Sequence, residues 1–133
     1  MKLNKSAIDK IRKKYNLVLI LLHGSQVSGK THSASDIDTA VLPKPGVSFD
    51  LLNLYTDLGK VIKPADKLDI TNLANADPLL LFTVTTESKL ISGSGKIYTS
   101  LKLTAFKKYN NYLPYLEMEK KVTLTNLNKY VAG

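Results

Sequence analysis

Leu17-Val18-Leu19-Ile20-Leu21-Leu22-His23-Gly24-Ser25, followed after ten intervening residues by Asp36-Ile37-Asp38-Thr39-Ala40-Val41-Leu42, is the stretch on which the fold turns. Residues 17–22 are a continuous apolar run. They are too few to cross a bilayer and read as a strand buried within a sheet. Residues 24–35 are polar and contain glycine, so a loop is expected, with a short helical turn after Ser25. Residues 36–42 read as a second strand. Residues two apart on a strand share a face, so Asp36 and Asp38 point one way and Ile37 points the other, into a core. Two carboxylates on one face repel each other unless a cation lies between them. Hard cations such as Mg²⁺ take oxygen ligands, commonly one or two carboxylates plus phosphate oxygens.

Outward from this stretch, residues 3–14 place Leu3, Ala7, Ile8 and Ile11 at helical spacing, with Lys10, Arg12, Lys13 and Lys14 toward the C-terminal end. Pro43, Pro45 and Gly46 end the second strand. Residues 48–62 predict a helix with Ser48 as N-cap and Leu51, Leu52, Tyr55, Leu58 and Ile62 as its apolar stripe. Pro64 closes it. Residues 67–73 alternate and predict a third strand. Asp77-Pro78 opens a helix expected to run to about Leu90, where Gly93 stops it. Residues 96–99 read as a turn or extended piece, and 100–112 as a helix broken near Pro114. The pattern from Val122 onward assigns nothing. The expected product is a small α/β (α+β) fold, a mixed sheet with helices packed on one side. It forms one domain over 1–133, with a helical extension from about residue 100.

Chemistry gathers around the first two strands. Glycine lets a backbone approach a phosphate closely, and successive N–H groups at a turn bind anions, so Gly24 and Ser25 are candidate phosphate contacts. Asp69 is a single acid on an otherwise apolar strand and needs a partner or solvent. A competing pattern overlaps the loop: residues 24–31 match G-x-x-x-x-G-K-[ST], ending in Gly29-Lys30-Thr31. A P-loop must open a helix that packs on the sheet. Here His32-Ser33-Ala34-Ser35 is polar and a strand follows within five residues of Thr31. A P-loop NTPase is therefore the alternative reading, alongside a basic, non-catalytic binding module. With no cysteine and no third histidine, His23 and His32 read as ordinary polar loop residues. Tyr109, Tyr112 and Tyr115 lie at near-helical spacing and read as core or rim packing, or as a surface for a protein partner, rather than as base-stacking residues.

Composition bounds the rest. The chain has 133 residues, 44% hydrophobic, enough for one compact core. The absence of cysteine excludes a disulfide framework and a cysteine-based zinc site. The N-terminal segment does not have the length or cleavage site of a signal peptide, and no stretch is long enough to span a membrane. A soluble, cytoplasmic protein is expected. The charge of +8, from 19 Lys plus Arg against 11 Asp plus Glu, suits anionic partners. Nucleic acid is possible among them but is not the favoured partner.

The order Gly24-Ser25, ten residues, Asp36-x-Asp38, a helix, then a strand bearing Asp69 resembles the nucleotidyltransferase fold of the DNA polymerase beta-like superfamily. It is most similar to the minimal nucleotidyltransferases. The resemblance covers roughly residues 15–100, with residues 33–42 close to the family pattern and Pro78 and Gly95-Lys96-Ile97-Tyr98 echoing its usual ending. Ser28 stands where the family often has arginine, with Lys30 available to supply charge, and Thr39 stands where leucine is common. The resemblance implies a polymerase beta-like palm and two Mg²⁺ ions held by Asp36, Asp38 and Asp69. It implies ATP as substrate, with Gly24, Ser25 and Lys30 binding its phosphates. Size and overall similarity further imply an antitoxin that adenylylates a tyrosine of a HEPN-type ribonuclease toxin.

Overall fold

The computed structural model describes residues 3–24 and 36–132. Helix α1 (Lys5–Lys14) is capped by Asn4, whose side chain accepts from the Ala7 N–H, and ends in Arg12, Lys13 and Lys14, cations that suit a helix C-terminus. Strand β1 (Leu17–His23) follows, then β2 (Ile37–Pro43). Helix α2 spans Leu51–Gly59. Its cap is Asp50, not the expected Ser48, because the Asp50 carboxylate reaches the N–H groups of both Leu52 and Asn53. Strand β3 (Leu68–Asn72) leads to α3 (Pro78–Thr86), where Asp77 caps and Pro78 opens the helix as its sequence predicts.

Two expectations change beyond this point. The helix opened by Pro78 ends at Thr86 rather than Leu90, and Ser88–Gly93 forms a fourth strand, β4. Residues 96–112 and the unassigned tail belong to one helix, α4 (Gly95–Ala132), which continues through Pro114. Proline costs a helix one N–H and crowds the carbonyl four residues back. Pro114 and Asn110 are both exposed, so water can satisfy the freed carbonyl and the helix tolerates the residue.

The sheet order is β3-β2-β1-β4. β1 is antiparallel to β2 and β4, while β2 and β3 run parallel, so the sheet is mixed as expected. β1 lies inside the sheet, and Leu17, Leu19, Ile20, Leu21 and Leu22 are all buried. Ile20 and Leu22 join a cluster with Ile8 and Ile11 of α1 and Leu54 and Leu58 of α2. Leu19 and Leu21 face the other way, into a cluster with Leu81 and Val84 of α3 and Ala105 of α4. Helices thus cover both faces, one more than expected. A strand apolar at every position needs two covers, which explains the continuous run in β1.

Candidate active site

β1 and β2 pair so that His23 lies opposite Asp38. On the other side of β2, the parallel register places Asp38 opposite Asp69 of β3. His23, Asp38 and Asp69 therefore form a row across three strands at one end of the sheet. Asp36 stands just before β2 and is exposed, while Asp38 is half-buried. Ile37 is buried in the α1/α2 cluster, so the two flanking acids face away from that core, as the strand period requires. Leu68 and Ile70 likewise point into that cluster and leave Asp69 on the opposite, exposed side of β3.

The corner is crowded with negative charge. Burial pushes the Asp38 carboxyl above the ordinary carboxylate range; His23 opposes this, and the charges of Asp69 and Asp36 add to it. Burial lowers the basicity of His23, against the pull of Asp38 and Asp69. The His23 Nε2 is buried with no hydrogen-bond partner among the described residues, as is the Thr39 hydroxyl. His23 thus ends a strand within the acidic row, where the sequence reads it as an ordinary loop residue. Its place directly after the apolar run, opposite the Asp-x-Asp strand, was the available signal.

Gly24 abuts this row. Its φ is +74°, and a Cβ built on it would lie 2.6 Å from Asp38 Oδ2. Its N–H donates to the Glu87 carbonyl (3.1 Å), tying the loop entrance to the start of β4. Only glycine both adopts this angle readily and leaves room for the carboxylate. Ser25 and Lys30, and with them most of the G-x-x-x-x-G-K-[ST] match, lie outside the described residues.

Tyr55 of α2 also reaches the site. Its hydroxyl accepts from the Ile70 N–H (2.9 Å) and donates to Asp69 Oδ1 (3.1 Å). The sequence reads Tyr55 only as part of an apolar stripe, and its ring does pack against the α1/α2 cluster.

Among the described residues no three His, Cys, Asp or Glu side chains converge into a ready-made metal cage. An all-oxygen pair of carboxylates in register, with a third nearby, suits a hard cation that draws its remaining ligands from a substrate phosphate.

The family model described as "Polymerase beta, Nucleotidyltransferase" matches residues 5–96, about two thirds of the chain. The chain belongs to this family. No curated protein matches the nucleotidyltransferase sequence significantly. Several solved structures share its shape. One, from a toxin–antitoxin structure with AMP-PNP, is 26% identical, with a TM-score of 0.68 over 94% of this chain and 98% of that one. A chain from the tri-AMPylated Shewanella oneidensis HEPN toxin in complex with MNT antitoxin is 23% identical, with a TM-score of 0.60 over 92% and 94%. A chain of the toxin–antitoxin MntA-HepT is 22% identical, with a TM-score of 0.60 over 92% and 95%. The last two establish likeness of fold. Among the described residues, no helix of this nucleotidyltransferase is long and apolar enough to cross a membrane.

Proposed function

We propose that this chain transfers AMP from ATP to a tyrosine of a HEPN-type ribonuclease toxin and so acts as its antitoxin. The observation that carries the chemistry is the register of Asp38 and Asp69 on adjacent parallel strands, with Gly24 against Asp38. The antitoxin role draws support from the shape shared, at 26% identity, with a chain of a toxin–antitoxin structure that holds AMP-PNP. On this reading the whole chain is one nucleotidyltransferase domain, with α4 as its helical extension.

Asp36, Asp38 and Asp69 would hold Mg²⁺ together with phosphate oxygens. Two bound ions would supply activation of the attacking hydroxyl and charge neutralisation on the leaving pyrophosphate. The clustered negative charge of the three aspartates is the electrostatic counterpart of that requirement. Gly24, Ser25 and Lys30 would receive the triphosphate, the glycine by leaving its backbone open to close approach. The tyrosine oxygen forms a bond to the α phosphorus, the bond from that phosphorus to the β-phosphate oxygen breaks, and pyrophosphate leaves while the phenolic proton passes to solvent. The chain's own contribution is orientation and fixed charge.

The P-loop alternative fits the sheet less well. In a P-loop domain the strand before the loop feeds a helix that packs on a parallel sheet. Here β1 is antiparallel to both neighbours.

The test is label transfer from ATP with Mg²⁺, using α-labelled and γ-labelled nucleotide in parallel and the neighbouring gene's product as acceptor. Label from the α position alone should appear on the protein. Asp38→Asn should lower the rate by at least about a hundredfold, as loss of a group that stabilises transition-state charge does. Phosphate released from the γ position alone would replace this reading with the P-loop one.

A further inference from the structure

We infer that Tyr55 is the positioning residue for Asp69, fixing that carboxylate through a hydroxyl that also seals the open edge of the sheet. The inference rests on the reading of Asp69 as a metal-binding carboxylate.

Among the described residues β3 is an edge strand, with β2 on one side only. An edge leaves backbone N–H groups without strand partners. The Ile70 N–H is one of them, and the Tyr55 hydroxyl accepts it at 2.9 Å. Having accepted from the backbone, the hydroxyl has its own proton to give, and it donates to Asp69 Oδ1 at 3.1 Å. The two bonds run in one direction, from backbone to hydroxyl to carboxylate. They fix the rotation of the Tyr55 hydroxyl and hold one carboxylate oxygen of an exposed side chain.

The anchor itself is held by packing. The Tyr55 ring packs on the α1/α2 cluster, one residue after Leu54, which is fully buried. Asp69 has no comparable support of its own, since its residue is exposed. A carboxylate on an exposed edge samples several rotamers, and each wrong one lowers its affinity for a cation. Groups that hydrogen-bond to a ligand carboxylate orient it, and their loss typically costs 10–100-fold in metal affinity. Tyr55→Phe keeps the ring and its packing and removes only the hydroxyl.

The experiment is Mn²⁺ titration with a non-hydrolysable ATP analogue present, followed by electron paramagnetic resonance, of the full chain, Tyr55→Phe, Asp69→Asn and the double variant. Hydrogen exchange of the Ile70 amide is measured alongside. Tyr55→Phe should weaken Mn²⁺ binding about tenfold or more, and the Ile70 amide should exchange faster. In the Asp69→Asn background the same substitution should change Mn²⁺ binding little, because its route to the metal is gone. Unchanged affinity in Tyr55→Phe, or an equal loss in the Asp69→Asn background, overturns the inference while the metal site stands. Failure of the unsubstituted chain to bind Mn²⁺ overturns the metal site itself and this inference with it.

Discussion

A methyl group on Gly24 would sit 2.6 Å from an Asp38 carboxylate oxygen, at a backbone angle that side chains rarely adopt. Gly24→Ala therefore carries two penalties of different kinds. The left-handed conformation costs roughly 1–2 kcal/mol, which a denaturant titration reads as lost stability. The displaced carboxylate costs rate, because a misplacement on the order of 1 Å can lower catalysis about a hundredfold. Label transfer should fall by more than the stability loss explains, and an unchanged rate would show that Asp38 need not hold its present position. Asp57 of α2 lies away from the site and carries a charge network of its own. The Lys14 ammonium donates to its carboxylate at 2.8 Å and the Tyr15 hydroxyl donates to the same oxygen at 2.6 Å. The hydrogen bond from Lys14, then that from Tyr15, holds the Asp57 carboxyl below the ordinary carboxylate range. Asp57 in turn raises Lys14, and burial followed by Asp57 raises Tyr15. The depressed acid stabilises the fold above its unfolded pKa and stops doing so as pH falls through the folded value. The raised lysine and tyrosine stabilise it below their unfolded pKa values and stop as pH rises through the folded ones. Asp57→Asn should flatten both limbs of a melting-temperature profile against pH, by a small amount because Lys14 is exposed.

At the scale of the element, β1 is the strand on which both cores depend. Ile20 is fully buried on the α1/α2 face and Leu19 on the α3/α4 face. Truncating either to alanine should cost about 2–5 kcal/mol in a denaturant titration. The two losses should be comparable although the helices they touch differ. How far each element was legible follows from its pattern. β1 announced itself by an unbroken apolar run, β2 by two acids flanking Ile37, and β3 by alternation around the single acid Asp69. β4 did not, because Ser88-Lys89-Leu90-Ile91-Ser92-Gly93 neither alternates nor runs apolar, and Leu90 extends the apolar spacing of the leucine-rich helix before it. What holds it is remote: Ser92 is buried, accepting from Arg12 Nε at 2.8 Å and bonding to Asp9, both on α1. The acids of the candidate site were visible in sequence as types and spacings. The register that sets Asp38 opposite Asp69 was not, since pairing between strands separated by a helix is a property of the folded sheet. Tyr55 was hidden for a related reason: a tyrosine on an apolar stripe shows its ring to the sequence reader, while its hydroxyl takes its meaning from an edge that exists only once the sheet has formed.

For the whole molecule, the body and the far half of α4 behave as separate regions of one fold. Phe82 of α3 stacks on Tyr109 of α4, with ring centroids 4.1 Å apart, so packing is the role of that tyrosine, as its spacing suggested. Every residue from 117 to 131 is exposed, including Met118, Val122, Leu124 and Leu127. Removing residues 117–133 should therefore leave the thermal midpoint of the body nearly unchanged, because the described side chains of that segment are all exposed. A marked fall in the midpoint would mean that this segment supports the core after all.

The 38 residues of α4 extend about 57 Å at 1.5 Å per residue, whereas a 133-residue globule has a radius of gyration of about 14 Å and a diameter of roughly 36 Å. A rod longer than the body that carries it raises friction without adding mass. On a size-exclusion column calibrated with globular standards, a monomer of 14.7 kDa should elute early, in the range of a heavier particle. Elution volume alone would then overstate the mass of the particle, whereas light scattering or sedimentation equilibrium, which weigh it regardless of its outline, would return the true one.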